Sequence, residues 1–313
     1  MNGLDIARAY FDEYGLPMLQ DKFPDLLPHI AAGVFGSGSE CFGFDDELSR
    51  DHDFDPGFII LLPGEDVVDR KQEFALERAY AALPQEFMGI ARPKLAPVGG
   101  ARRGVIRLAS WLREKTGSDD GTLTLDQWLA VPSYALAEAV NGAVFYDGSG
   151  ELTRIRAALA HYPADVRRKK LAGHLLLAAQ AGQYNYMRCL HHGETGAAQL
   201  AVIDFAQSAM EAIFLLNDAY APFYKWRFRA LRALPELALD AELLEYLITT
   251  DNDEEIAKEK YAVIESIACD LIGELARQGL TKATCGDLEK HAYSVNDGIA
   301  DGDLRTRHIL AAV

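Results

Sequence analysis

Apolar residues Ile6, Tyr10 and Tyr14 recur at a spacing of four between Asp5 and Tyr14, which predicts an amphipathic helix, with Gly15 and Pro17 as its stop signals. Ile30 to Phe35 is then a short apolar run ending in the turn Gly36-Ser37-Gly38-Ser39, the pattern of a strand that gives way to a loop. After the acidic stretch Asp45 to Asp55, the continuous run Gly57 to Leu62 is closed by Pro63-Gly64, as expected of a strand buried on both faces. Asp66 to Leu83 reads as a charged helix with Val67, Phe74 and Tyr80 on its apolar side, and Gly104 to Leu108 as a further strand. Short mixed elements follow up to the turn Asp147-Gly148-Ser149-Gly150.

From Leu152 onward the period is helical. Leu171, Leu175 and Ala179 form one stripe, and Phe205, Ala209, Ile213 and Leu216 another. Helical pattern continues over Asp240 to Thr249 and over Glu254 to Leu280, with no internal repeat. The chain therefore reads as α+β: a mixed sheet with flanking helices over residues 1–150, then a C-terminal helix bundle over residues 151–313.

Composition narrows the partners. A net charge of −16 would repel a phosphate backbone, so DNA and RNA are disfavoured and a small molecule or a protein is expected instead. The densest basic cluster, Arg167-Arg168-Lys169-Lys170, reads as a solvated helix face. Cys41, Cys189, Cys269 and Cys285 are scattered without a C-x-x-C pair, which predicts neither a zinc knuckle nor a disulfide scaffold and suits a reducing cytoplasm. No apolar run is read as long enough to span a bilayer, so no membrane is expected. Oligomeric state is not legible.

The candidate chemistry lies between the two apolar runs. A Gly-Ser turn at a strand end lets backbone N–H groups approach phosphate oxygens without a Cβ in the way, and Gly36, Ser37, Gly38 and Ser39 supply one. In Arg50-Asp51-His52-Asp53-Phe54 the aspartates stand at i and i+2, so on an extended segment both project from one face and can share divalent metal, with His52 on the other. Asp-x-Asp alone also describes any acidic surface turn; the Gly-Ser turn upstream and the buried-type strand downstream favour a site. No Gly-x-Ser-x-Gly elbow surrounds Ser37 or Ser39, and the turn lacks the Gly-Lys-Ser/Thr ending of a P-loop.

The order Val34-Phe35-Gly36-Ser37, then Asp51-x-Asp53, then the strand Phe58 to Leu62 resembles the nucleotidyltransferase superfamily. The longer stretches Gly36 to Phe54 and Leu216-Asn-Asp-Ala-Tyr-Ala-Pro-Phe-Tyr-Lys-Trp226 resemble a bacterial family of nucleotidyltransferase-like proteins known only as a domain of unknown function, with a likeness running to about Leu234. More distantly, a catalytic α/β module followed by helices is similar to nucleotidyltransferases of the kanamycin type. The resemblance implies a nucleotidyltransferase-type sheet and transfer of a nucleoside monophosphate from a nucleoside triphosphate, ATP being the expected one, to a small-molecule or protein acceptor. Pyrophosphate would be released. It further implies Asp51 and Asp53 as catalytic ligands of Mg2+ or Mn2+, with Gly36 to Ser39 and Lys225 holding the nucleotide.

One departure stands out. The superfamily usually adds a third carboxylate from a later strand, and Gly104-Val105-Ile106-Arg107-Leu108 has none. Either Asp55 or a loop carboxylate substitutes, or the chain is a catalytically weak or inactive nucleotide-sensing or partner-binding protein of the same fold. A scaffold with no nucleotide site is a third reading. Around Pro222, Asn217, the tyrosines and Lys225 form either a base-and-phosphate contact or an aromatic packing corner. Arg188 and His191-His192 read as surface, and Glu254 to Lys260 as a solvated helix face.

Overall fold

The computed structural model describes residues 2–46, 55–92 and 103–313. The fold is α+β, and the chain divides into two compact units, residues 1–127 with 131–160 and residues 128–130 with 161–313.

In the first unit, α1 (Gly3–Tyr10) is capped by the Asn2 side chain, which accepts from the Asp5 N–H. The helix does not stop at Gly15. A π-helical turn, Phe11–Gly15, carries it into α2 (Leu16–Lys22), so Pro17 falls in the first turn of α2, where its missing N–H costs little. Gly15 serves contact instead: a Cβ there would lie 2.5 Å from the Phe58 ring. The sheet follows as β1 (Ala31–Val34) and β2 (Ile59–Leu62), both buried throughout as their apolar runs predict. Next come α3 (Arg70–Ala81), a hairpin of β3 (Glu86–Phe87) and β4 (Ile90–Ala91), and β5 (Gly104–Arg107). The unit continues through α4 (Leu108–Thr116), α5 (Leu125–Ala130), α6 (Ser133–Val140), β6 (Ala143–Asp147) and α7 (Glu151–Leu159).

The strand order is β5-β2-β1-β6, with β1 antiparallel to both of its neighbours and β2 parallel to β5. β6 completes the sheet from a segment whose residues are all half-buried, which is why it reads only as mixed short elements. A bulge between Ala32 and Gly33 lets β1 meet β6; a Cβ on Gly33 would sit 2.4 Å from the Ala143 carbonyl oxygen. α3 starts later than the charge pattern suggests, at an Asp69/Gln72 capping box. It buries Leu76 and Tyr80, whereas Val67 and Phe74 are exposed.

The second unit holds α8 (Ala164–Ala178), a π-helical segment (Ala179–Asn185), α9 (Tyr186–His191), α10 (Thr195–Leu216), α11 (Tyr224–Leu231), α12 (Asp240–Thr249), α13 (Glu254–Arg277), α14 (Leu288–Asp297) and α15 (Gly302–Thr306). Contrary to the sequence reading, α10 is long and apolar enough to cross a membrane. Its burial against α8, α9, α12 and α13 is that of the bundle's central helix. The Arg167–Lys170 cluster is not a solvated face either. Lys169 is fully buried and donates to Asn296 Oδ1 at 2.9 Å and to the Arg307 carbonyl at 2.6 Å, while Lys170 donates to the Leu129 and Ala312 carbonyls. Arg167 reaches the Leu215 carbonyl at 2.7 Å. These stems cross apolar packing to satisfy backbone carbonyls distant in sequence. Lys260, in the charge run of α13, is likewise buried, on Gln199 and the Thr250 carbonyl, whereas Lys258 and Glu254 form an exposed pair.

Candidate functional site

Sheet register decides which loops meet. Gly33 of β1 stands opposite Ile59 of β2, and Ile59 opposite Gly104 of β5. The chain leaving β1, the chain entering β2 and the chain entering β5 therefore lie at one end of the sheet. Asp51 and Asp53, like His52, lie outside the described residues; Asp55, just downstream in sequence, is described.

The Gly-Ser turn is clamped rather than loose. Gly36 has φ +117, a conformation suited to glycine. Its N–H donates to Asn141 Oδ1 at 2.9 Å, and Asn141 Nδ2 donates back to the Gly36 carbonyl at 2.7 Å. Arg156 donates to the Val140 carbonyl at 2.6 Å and to the Asn141 carbonyl, and its guanidinium stacks over Phe35. Gly142 N–H donates to the Cys41 carbonyl at 2.9 Å, closing the far side of the loop. Among the described residues, the backbone N–H groups of Ser37, Gly38 and Ser39 make no hydrogen bond. Adjacent N–H donors left without partners at a turn suit an anion.

Behind the turn lies a buried ion cluster that the sequence does not announce. Arg103 donates to Glu40 Oε1 at 2.7 Å and lies 3.4 Å from Asp55 Oδ1, all three side chains being close to fully buried. Burial opposes the guanidinium charge, but the Asp55 and Glu40 carboxylates more than offset it and raise the Arg103 pKa above its ordinary value. Gly38 is glycine because Glu40 folds back against it: a Cβ there would lie 2.3 Å from the carboxylate. Asp55 also accepts from the Gly57 N–H at 2.6 Å. The next residue is pinned by Tyr80, whose hydroxyl donates to the Phe58 carbonyl at 2.8 Å and accepts from the Phe58 N–H at 3.1 Å. Burial pushes the Tyr80 pKa up to about 12, and burial with the Glu40 charge does the same for Cys41, so neither ionises at neutral pH.

The cluster bears on the third carboxylate. β5 carries none, and its Arg107 is spent on Glu73 at 2.5 Å and on the Pro63 and Val68 carbonyls. Asp55 and Glu40, the nearest alternatives, are both engaged by Arg103. Among the described residues, no group of three or more His, Cys, Asp or Glu side chains is placed to hold a metal. The metal assignment rests wholly on Asp51 and Asp53. Of the residues missed by sequence reasoning, Glu40 had one available signal, its position directly after the Gly-Ser turn. Arg103 and Asn141 had none.

Around Pro222 the second unit shows a packing corner. Asn217 donates to the Ile213 and Glu236 carbonyls and accepts from the Glu236 N–H, ending α10 and tying it to the chain before α12. Tyr220 packs edge-on against Tyr162 at 4.7 Å. Lys225 is exposed, its ammonium 4.8 Å from the Trp226 ring centroid. His191 and His192 are exposed at the end of α9, as their adjacency suggests.

The family described as a domain of unknown function, DUF4037, matches residues 128–227. No curated protein matches the chain, and neither does any solved structure.

Proposed function

We propose that the sheet unit is a nucleotidyltransferase, transferring a nucleoside monophosphate from a triphosphate such as ATP to a small-molecule or protein acceptor with release of pyrophosphate. The observation that carries the reading is the Gly36–Ser39 turn: a rigid loop at a sheet end, with unclaimed N–H donors, at the end where the chain enters β2 directly after Asp51-x-Asp53. In this reading the loop N–H groups hold the triphosphate and the Asn141 and Arg156 clamp prevents the loop from relaxing around a smaller anion. Asp51 and Asp53 would bind magnesium or manganese, whose charge lowers the cost of attack on the α-phosphorus. Lys225 enters only through the resemblance, as a second phosphate contact.

A specific observation favours a second reading, a nucleotide-sensing protein without turnover: β5 has no carboxylate, and Arg103 occupies both Asp55 and Glu40. Calorimetric titration of the parent chain, Asp51→Ala and Asp53→Ala with magnesium ATP tests both. Loss of binding by more than about 100-fold in each variant, beyond what supporting residues typically contribute, is expected. Parent-like binding by both variants would remove the site. Binding by the parent without pyrophosphate release would select the sensing reading.

A further inference from the structure

The helical unit contains an open cavity of about 750 Å³ bounded by α8, the π-helical segment, α9, α10, α11 and Val313. All of its lining residues except Val313 fall within residues 128–227. The cavity has a built polar floor. His174 lines it with Nδ1 buried and unpartnered, and burial, with the Lys170 and Arg227 charges nearby, holds its pKa down at about 3, so the imidazole is neutral. Glu211 and Arg227 pair across it at 3.0 Å. Nearer the solvent, α10 presents Asp204 and Gln207, one turn apart, and no cation pairs with Asp204 among the described residues. The π-helical segment adds the Gln180 side chain to the wall. Gly182 permits its approach to α10, since a Cβ would lie 2.4 Å from the Phe205 ring.

This lining selects a ligand class by exclusion. An anion finds no spare cation, because Arg227 is held by Glu211 and Asp204 repels it. A flat base finds no Phe, Tyr or Trp ring to stack on among the lining residues. A hydrocarbon would leave the His174 imidazole without a partner and take water from the amides and Asp204. What remains is a molecule with many hydroxyls and an amine: hydroxyls for the neutral imidazole and the amides, which both donate and accept, and an ammonium for Asp204. The volume lies within the usual range for small-molecule sites. We propose that this cavity binds a small polyhydroxylated amine of amino-sugar chemistry. The proposal does not depend on nucleotidyl transfer by the sheet unit.

Calorimetry on the full chain with diglucosamine, its uncharged counterpart cellobiose, and AMP tests it. Diglucosamine is expected to bind with Kd below about 1 mM and cellobiose about ten-fold more weakly, the difference being one charge-assisted contact, while AMP does not bind in the cavity. Asp204 and Gln207 are exposed, so Asp204→Asn and Gln207→Ala leave the fold intact. Asp204→Asn is expected to abolish the preference for diglucosamine over cellobiose, and Gln207→Ala to weaken both. The proposal is overturned if neither disaccharide binds the folded parent chain, if AMP displaces diglucosamine, or if Asp204→Asn keeps the preference.

Discussion

Arg103 in the sheet unit and Lys169 in the helical unit are both buried cations, and their partners differ in kind. Arg103 meets two carboxylates, Glu40 and Asp55, which raise its pKa despite burial. Lys169 meets only neutral acceptors, Asn296 Oδ1 and the Arg307 carbonyl, and burial together with the Arg307 charge lowers its pKa. The first arrangement joins two loops through charge at the end of the sheet that carries the Gly36–Ser39 turn, so removing any member leaves a buried ion behind. The second fastens the C-terminal segment to α8 through hydrogen bonds, and removing the lysine strands only neutral acceptors. A cation on buried carboxylates therefore holds two loops in register, and a cation on neutral acceptors ties one segment to a helix.

The largest expected effect follows from Arg103. Arg103→Met leaves Glu40 and Asp55 buried without their cation and is expected to cost about 3–5 kcal/mol in denaturant unfolding. Adding Glu40→Gln should recover part of that loss. A single variant that unfolds like the parent chain would show that the cluster is not coupled as its geometry implies. Lys169→Met is expected to cost less, about 1–3 kcal/mol, because two neutral acceptors lose their donor. A change within about 0.5 kcal/mol would instead fit the solvated helix face that the sequence suggests.

An effect confined to high pH concerns a third buried group. Asp240, at the start of α12, has its pKa pushed up to about 7 by burial and by the neighbouring Asp270 carboxylate. The folded chain thus keeps a proton that the unfolded chain, near pKa 3.9, releases, so stability declines as pH rises from about 4 to about 7, and the whole penalty is present above that. Asp240→Asn should raise Tm by roughly 8 °C at pH 8, as expected from about 4 kcal/mol of relieved penalty, and change it little at pH 4. An equal shift at both pH values would contradict the assignment.

The sheet was legible where burial is two-sided. Ala31–Val34 and Ile59–Leu62 are continuous apolar runs, and both are buried strands. β6 was not, because its five residues are all half-buried and show no alternation. The Gly-Ser turn was legible as turn chemistry, but its rigidity was not: Asn141 and Arg156, which clamp it, lie more than a hundred residues downstream in the chain. Glu40 and Arg103 are separated by 63 positions, and no periodicity connects them. Arg167–Lys170 misled for a related reason. A charge pattern records which side chains are ionised, not whether carbonyls from other helices wait to receive them. The helix stop at Gly15 failed because glycine there serves contact with Phe58 rather than turn conformation.

The proposed nucleotidyl transfer at the Gly36–Ser39 turn with Asp51 and Asp53 is decided by which phosphorus is transferred. The chain is incubated with α-labelled and γ-labelled ATP, GTP, CTP and UTP, in magnesium or manganese, across a panel of small acceptors and candidate proteins. Label transfer from the α position with release of pyrophosphate is expected, abolished by Asp51→Asn and by Asp53→Asn. Transfer from the γ position, or undiminished α transfer in both aspartate variants, would contradict it.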